Sequence, residues 1–152
     1  MFDRILVAID DSPEAERGLM TAGRLAAVQG AEILVVHAHE IPVALTMGLP
    51  YDASSLVEQS QKDSESLVAQ AVKQVTRLGV QGVGRVLVGP GNVAMRVLEA
   101  ACEFRADLVV VGTRGPTEIQ GLFLGSVVHD LLHISDHPVL VVPPPRSNPG
   151  LG

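Results

Sequence analysis

The chain is poor in the residues that hold small folds together from outside the core. Of 152 residues one is Cys, none is Trp, one is Tyr and three are Phe. Cys102 has no partner within the chain, so a disulfide framework is excluded and burial of apolar surface must carry stability. With so few aromatics, that core has to be aliphatic. Long hydrophobic runs are also absent: every apolar stretch is interrupted well short of the roughly 18 residues that a membrane span needs. Positive charge is scarce, with 11 Lys and Arg against 17 Asp and Glu, a net charge of -6 and no basic run. The electrostatic attraction that drives binding to nucleic acid or to an anionic membrane is therefore missing, and neither is expected as a partner. Met1-Phe2-Asp3-Arg4 leads straight into an apolar run without a cleavable signal pattern, which points to a reducing cytoplasm.

What the chain does have is short, recurring runs rich in β-branched residues. Ile5–Ile9, Ile33–Val36, Val86–Val88, Leu108–Val111 and Val139–Val142 are each apolar at consecutive positions. That pattern predicts strands covered on both faces, as in a parallel sheet. Between them lie stretches of helical periodicity. Residues 13–29 place Ala15, Leu19, Ala22 and Ala26 on one stripe, with Ser12 as N-cap, Pro13 at the first helical position and Gly30 as the stop. Gly18 and Gly23 are expected to let this helix lie close to the sheet. Further helices are predicted over 63–78, 92–104 and 126–134, the last burying Val128, Leu131 and Leu132. The stretch from Glu40 to Ser54 reads as a long surface connection. Alternating strands and helices predict an α/β domain, an open parallel sheet with helices on both faces. The Pro-rich segment 144–152 is expected to be a flexible tail behind a domain of residues 1–143.

In such sheets ligands bind beyond the carboxyl ends of the strands, where the strand order reverses. Two clusters sit at those places. Asp10-Asp11-Ser12 follows the first strand, and Gly112-Thr113-Arg114-Gly115 follows the fourth, with Gly125-Ser126 opening the last helix nine residues later. Glycines allow an anion close to the backbone, and the amides of Ser126, Val127 and Val128 converge at the positive end of a helix. The Ser126 hydroxyl adds a donor and Arg114 a cation, a set that suits a polyphosphate. Singly, each of these residues also fits a turn or a cap. The four in fixed spacing after a buried strand shift the balance toward phosphate.

The spacing G-x-x-G, nine residues, G-S, formed by Gly112, Gly115, Gly125 and Ser126, resembles the universal stress proteins in their ATP-binding branch. The similarity extends from residue 2 to 142, through the H-x-H end of the second strand, the V-G-P-G turn at 88–91 and the closing P-V-L-V-V. It implies a Rossmann-like, five-stranded parallel sheet in the order 3-2-1-4-5. It further implies ATP with its adenine against Ala8, Ile9 and Asp10 on one side and Ala38 on the other, and Asp10 near the ribose. The triphosphate would run along Gly112, Arg114 and Gly115 to Gly125, Ser126, Val127 and Val128, with Mg2+ or Mn2+ on the phosphates. The implied function is nucleotide-dependent regulation in the stress response, with no catalytic residues and at most weak ATPase activity. A homodimer through the last strand, Val139–Val142, is implied as well; that strand would otherwise expose an apolar edge. Asp11 stands where relatives often carry Gly and adds a negative charge near an anion. Two other readings stay open: a dimeric stress protein that works through protein contacts without nucleotide, and a slow ATP hydrolase.

Several residues carry other chemistry in principle. His129, His133 and His137 are spaced by four, yet Pro138 opens the last strand, so His137 is expected beyond the helix end and the others on its solvent face. His37 and His39 share a side of the second strand at its carboxyl end, where they either line the crevice or form buried hydrogen bonds. Cys102 reads as a packing residue of its helix.

Overall fold

A computed structural model describes residues 1–40, 53–113 and 124–145. Five strands form one parallel sheet: β1 (Arg4–Ala8), β2 (Glu32–Ala38), β3 (Gly82–Leu87), β4 (Leu108–Gly112) and β5 (Val139–Val142). Their order is β3-β2-β1-β4-β5. The described helices are α1 (Pro13–Gln29), α2 (Ala53–Arg77), α3 (Val93–Phe104) and α4 (Ser126–Ile134).

The central strands are apolar through their middles, Ile5–Ala8, Ile33–Val36 and Leu108–Val111, because both of their faces are covered there. Ile5, Val7, Ile33, Val35 and Val110 pack with Ala15, Leu19, Ala22 and Ala26 of α1 and with Val68, Ala71 and Val75 of α2. On the opposite face Leu6, Leu34, Val36, Val109 and Val111 pack with Val97, Ala100 and Ala101 of α3 and with Val128 and Leu131 of α4. Successive strand side chains alternate between these two cores. No helix among the described residues is long and apolar enough to cross a membrane.

The local signals at α1 act as expected. The Ser12 hydroxyl accepts from Ala15 N–H at 3.1 Å, and Gly30 closes the helix at φ 70. Gly18 faces the sheet, where a Cβ would stand 3.8 Å from Val110 Cγ1. Gly23 instead faces the end of α2: an added Cβ would come within 2.7 Å of Leu78 Cδ1.

Four expectations need correction. β3 begins at Gly82, ahead of the predicted Val86–Val88, and much of it is exposed. It is an edge strand, with α2 lying so close that added Cβ atoms on Gly82 and Gly84 would collide with Val75 and Val68. Helix α2 starts at Ala53, ten residues before the predicted 63, because residues 55–62 are mostly exposed and carry no apolar stripe to read. In α4, Val128 and Leu131 face the core one turn apart, while Leu132 is turned outward and 48% exposed. Cys102 is exposed, next to the buried pair Ala100 and Ala101 on α3. The predicted connection 40–54 lies almost wholly outside the described residues, as does most of the tail. The start of the tail is tied to α1, where Arg17 donates to Pro143 O and Pro144 O at 2.9 Å each.

Candidate functional site

The sheet order places β1 between β2 and β4, so the chain leaves β1 at the point where the winding reverses. A cavity of about 440 Å³ opens there, above the carboxyl ends of these three strands. The volume falls within the range of about 300–1,000 Å³ common to small-ligand sites. Nine of the eleven candidate residues line it: Ala8, Ile9, Asp10, Ala38, Gly112, Gly125, Ser126, Val127 and Val128. Arg114 and Gly115 lie outside the described residues.

The ladder beyond the strand ends brings the two clusters together. Ile9 N–H donates to Val36 O at 2.8 Å, carrying β1 one residue further along β2. Thr113 N–H donates to Val142 O at 3.0 Å, and Thr113 O accepts from Gly125 N–H at 2.8 Å. That last bond docks the start of α4 against the tip of β4. It also engages the Gly125 amide, which is therefore already bonded within the protein. Gly125 is the N-cap of α4 at φ -61 and ψ 157 and has no side chain with which to cap the helix. The positive end of α4 borders the cavity, which Gly125, Ser126, Val127 and Val128 line.

Gly112 has a structural reason to be glycine. An added Cβ would stand 2.8 Å from Glu14 Cβ and 3.0 Å from Ala15 N. Its lack of a side chain lets α1 approach β4, which in turn brings Ala15 into the cavity wall.

Asp10 lines the cavity and also a second hollow between α1 and α2, whereas Asp11 is exposed and lines only that second hollow. Burial pushes the Asp10 carboxyl above its usual range, opposed by hydrogen bonding to Ser12 and by the neighbouring His37. Its Oδ1 accepts from Ser12 N–H at 2.9 Å.

Both histidines of β2 line the cavity. His37 Nδ1 lies 2.8 Å from Ile9 O; a carbonyl only accepts, so Nδ1 carries the hydrogen. His39 Nδ1 lies 3.1 Å from Ser64 Oγ, and Ser64 donates its own hydroxyl to Ser60 O. His39 Nδ1–H is then the donor, and its buried Nε2 has no hydrogen-bond partner. Ser60 and Ser64 also line the cavity. They come from the part of α2 on either side of the predicted helix start, and no apolar periodicity marks Ser60 as facing inward. Val93 and Val97 of α3 complete an apolar wall; their only sequence signal is the core stripe to which they belong.

His129 and His133 are exposed and stack on each other with ring centroids 4.4 Å apart. His137 lies beyond the end of α4, and among the described residues no group of three or more His, Cys, Asp or Glu is placed to hold a metal ion.

Comparison with known proteins gives the same architecture a family. The profile of the universal stress protein family matches residues 1–143. A universal stress protein of Thermus aquaticus is 37% identical over 144 residues, covering 93% of this chain and 99% of its own. Among solved structures, a universal stress protein in complex with cAMP superposes with a TM-score of 0.67 at 26% identity, covering 95% of this chain and 98% of that one. The universal stress protein from Archaeoglobus fulgidus in complex with dAMP gives a TM-score of 0.65 at 26% identity, covering 92% and 97%.

Proposed function

We propose that this chain, which belongs to the universal stress protein family, binds ATP in the crevice between β1 and β4 and acts as a nucleotide-dependent regulator in the stress response. One observation carries the reading: nine of the residues that the family resemblance implies for nucleotide contact line one cavity at the start of α4. Similar proteins solved with cAMP and dAMP support the choice of an adenine nucleotide.

In this reading the base lies on the apolar surface of Ala8, Ile9 and Ala38, Asp10 accepts from the ribose, and the phosphates reach the first turn of α4. The Ser126 hydroxyl and the amides of Val127 and Val128 supply donors, and Val128 offers no hydroxyl of its own. Arg114 and Gly115 belong to the same phosphate path. Mg2+ or Mn2+ fits here as a counter-ion held by the phosphate oxygens, since the described residues include no cluster built to ligate a metal. We assign binding to this site and no more than slow hydrolysis: in the Ser64–His39 contact of the cavity wall the serine hydroxyl donates to Ser60 O and not to the imidazole, so the histidine does not act as its base. A cytoplasmic homodimer joined through β5 completes the proposal. β5 ends the sheet beside β4, with Val139, Leu140 and Val141 only partly covered.

Isothermal titration of the purified protein with ATP and magnesium tests the reading. Saturable binding with one site per chain is expected. No heat at millimolar ATP would remove the nucleotide and leave a stress protein that works through protein contacts.

A further inference from the structure

We propose that His37 is a specificity-determining residue of the cavity: its Nε2 and the Asp10 carboxylate form a pair of acceptors that takes a ribose hydroxyl of the bound nucleotide. The proposal rests on the adenine-nucleotide reading above and assigns to His37 a role beyond packing.

The argument begins with the proton on the ring. Nδ1 donates to Ile9 O at 2.8 Å, which fixes both the tautomer and the ring orientation. A neutral imidazole with hydrogen on Nδ1 presents a lone pair at Nε2. Among the described residues no group bonds to Nε2, and this atom is not one of the occluded, unpartnered ones, in contrast to Nε2 of His39. His37 lies in the cavity wall, so Nε2 is an acceptor that a ligand can reach. Ile9 directly precedes Asp10, so the bond to its carbonyl sets the imidazole beside the Asp10 carboxylate. The electrostatic influence of His37 on Asp10 agrees with that proximity.

Neither neighbour supplies a donor in return. Asp10 is an acceptor with lone pairs beyond the one used by Ser12 N–H. Ser64, the nearest hydroxyl of α2 to the histidine pair, donates to Ser60 O. Two adjacent acceptors in a partly apolar wall call for a ligand that brings hydrogen-bond donors, and a ribose hydroxyl has that chemistry where a phosphate or an aliphatic group does not. A merely structural His37 would hold Ile9 O equally well and show no preference among sugars.

The test compares ATP, 2′-deoxy-ATP and 3′-deoxy-ATP by titration against the full chain and its His37→Phe and His37→Gln variants, each checked for folding by thermal melting. The wild type is expected to bind ATP about tenfold more tightly than at least one deoxy analogue, the ratio set by one hydrogen bond of about 1.4 kcal/mol. His37→Phe should lower that ratio, with Asp10 alone left to accept, while His37→Gln, which keeps an acceptor, should retain more of it. Equal binding of all three nucleotides by the wild type overturns the proposal and leaves ATP binding standing. A ratio unchanged in His37→Phe, or in His37→Gln should the Phe variant not fold, overturns it too. Failure of the wild type to bind any of the three overturns the nucleotide reading first and this proposal with it.

Discussion

Asp10 sits where its charge is least welcome, partly buried at a strand tip with its carboxyl held above its ordinary range by loss of solvent. The native state therefore keeps that proton more tightly than the unfolded chain does, so stability is lost as pH rises from the ordinary carboxylate range through the raised folded value. At neutral pH the cost is fully present. Asp10→Asn is expected to melt about 1–3 °C higher than the wild type at pH 7 and level with it near pH 3, while binding ATP more weakly. Thermal melts at the two pH values check the first part; a lower melting point at pH 7 would contradict it. Gly112 gives the opposite case, a residue fixed by packing. Its added Cβ would meet backbone as well as side chain of α1, at 2.9 Å from Glu14 C, so no rotamer change relieves it. Gly112→Ala should lower stability by about 1–3 kcal/mol, read as a lower urea midpoint with unchanged slope.

The elements show which signals survive translation from sequence to structure. Helix α1 was readable end to end because cap, proline and stop are local devices: Ser12, Pro13 and Gly30 act through their own backbone neighbours. Ser12→Ala should cost about 1 kcal/mol by leaving Ala15 N–H without its cap, measurable as a fall in the denaturant midpoint. Helix α2 and strand β3 were read short for a reason that no local signal reveals. Residues 55–62 of α2 are mostly exposed, and β3 carries glycines so that α2 can pack on it closely. Tertiary proximity, not strand propensity, chose Gly82 and Gly84. The site follows the same division. Residues flanking strand ends were identified by position, while Ser60 and Ser64 reach the cavity only because α2 is longer than its apolar stripe. The engaged Gly125 amide likewise depends on Thr113 across the gap, a long-range bond that spacing alone does not show.

At the scale of the whole molecule, one sheet order produces both the crevice and the two edges. β3 ends the sheet on one side with an exposed, glycine-containing strand and the Arg85–Glu103 ion pair at 2.6 Å. β5 ends it on the other with four consecutive aliphatic residues. Charge and glycine blunt the first edge against pairing; nothing comparable protects the second among the described residues. Light scattering at micromolar concentration should give twice the monomer mass. Val141→Lys should give the monomer mass with ATP binding retained, since β5 contributes no side chain to the cavity. A monomeric wild type would contradict the expected pairing. The central claim is that the start of α4 takes the phosphates, and Gly125→Val probes it most directly. Its φ of -61 suits any residue, so the variant should keep the wild-type circular dichroism and melting curve while its titration with ATP shows no binding. A folded Gly125→Val protein that binds ATP as tightly as the wild type would contradict the account.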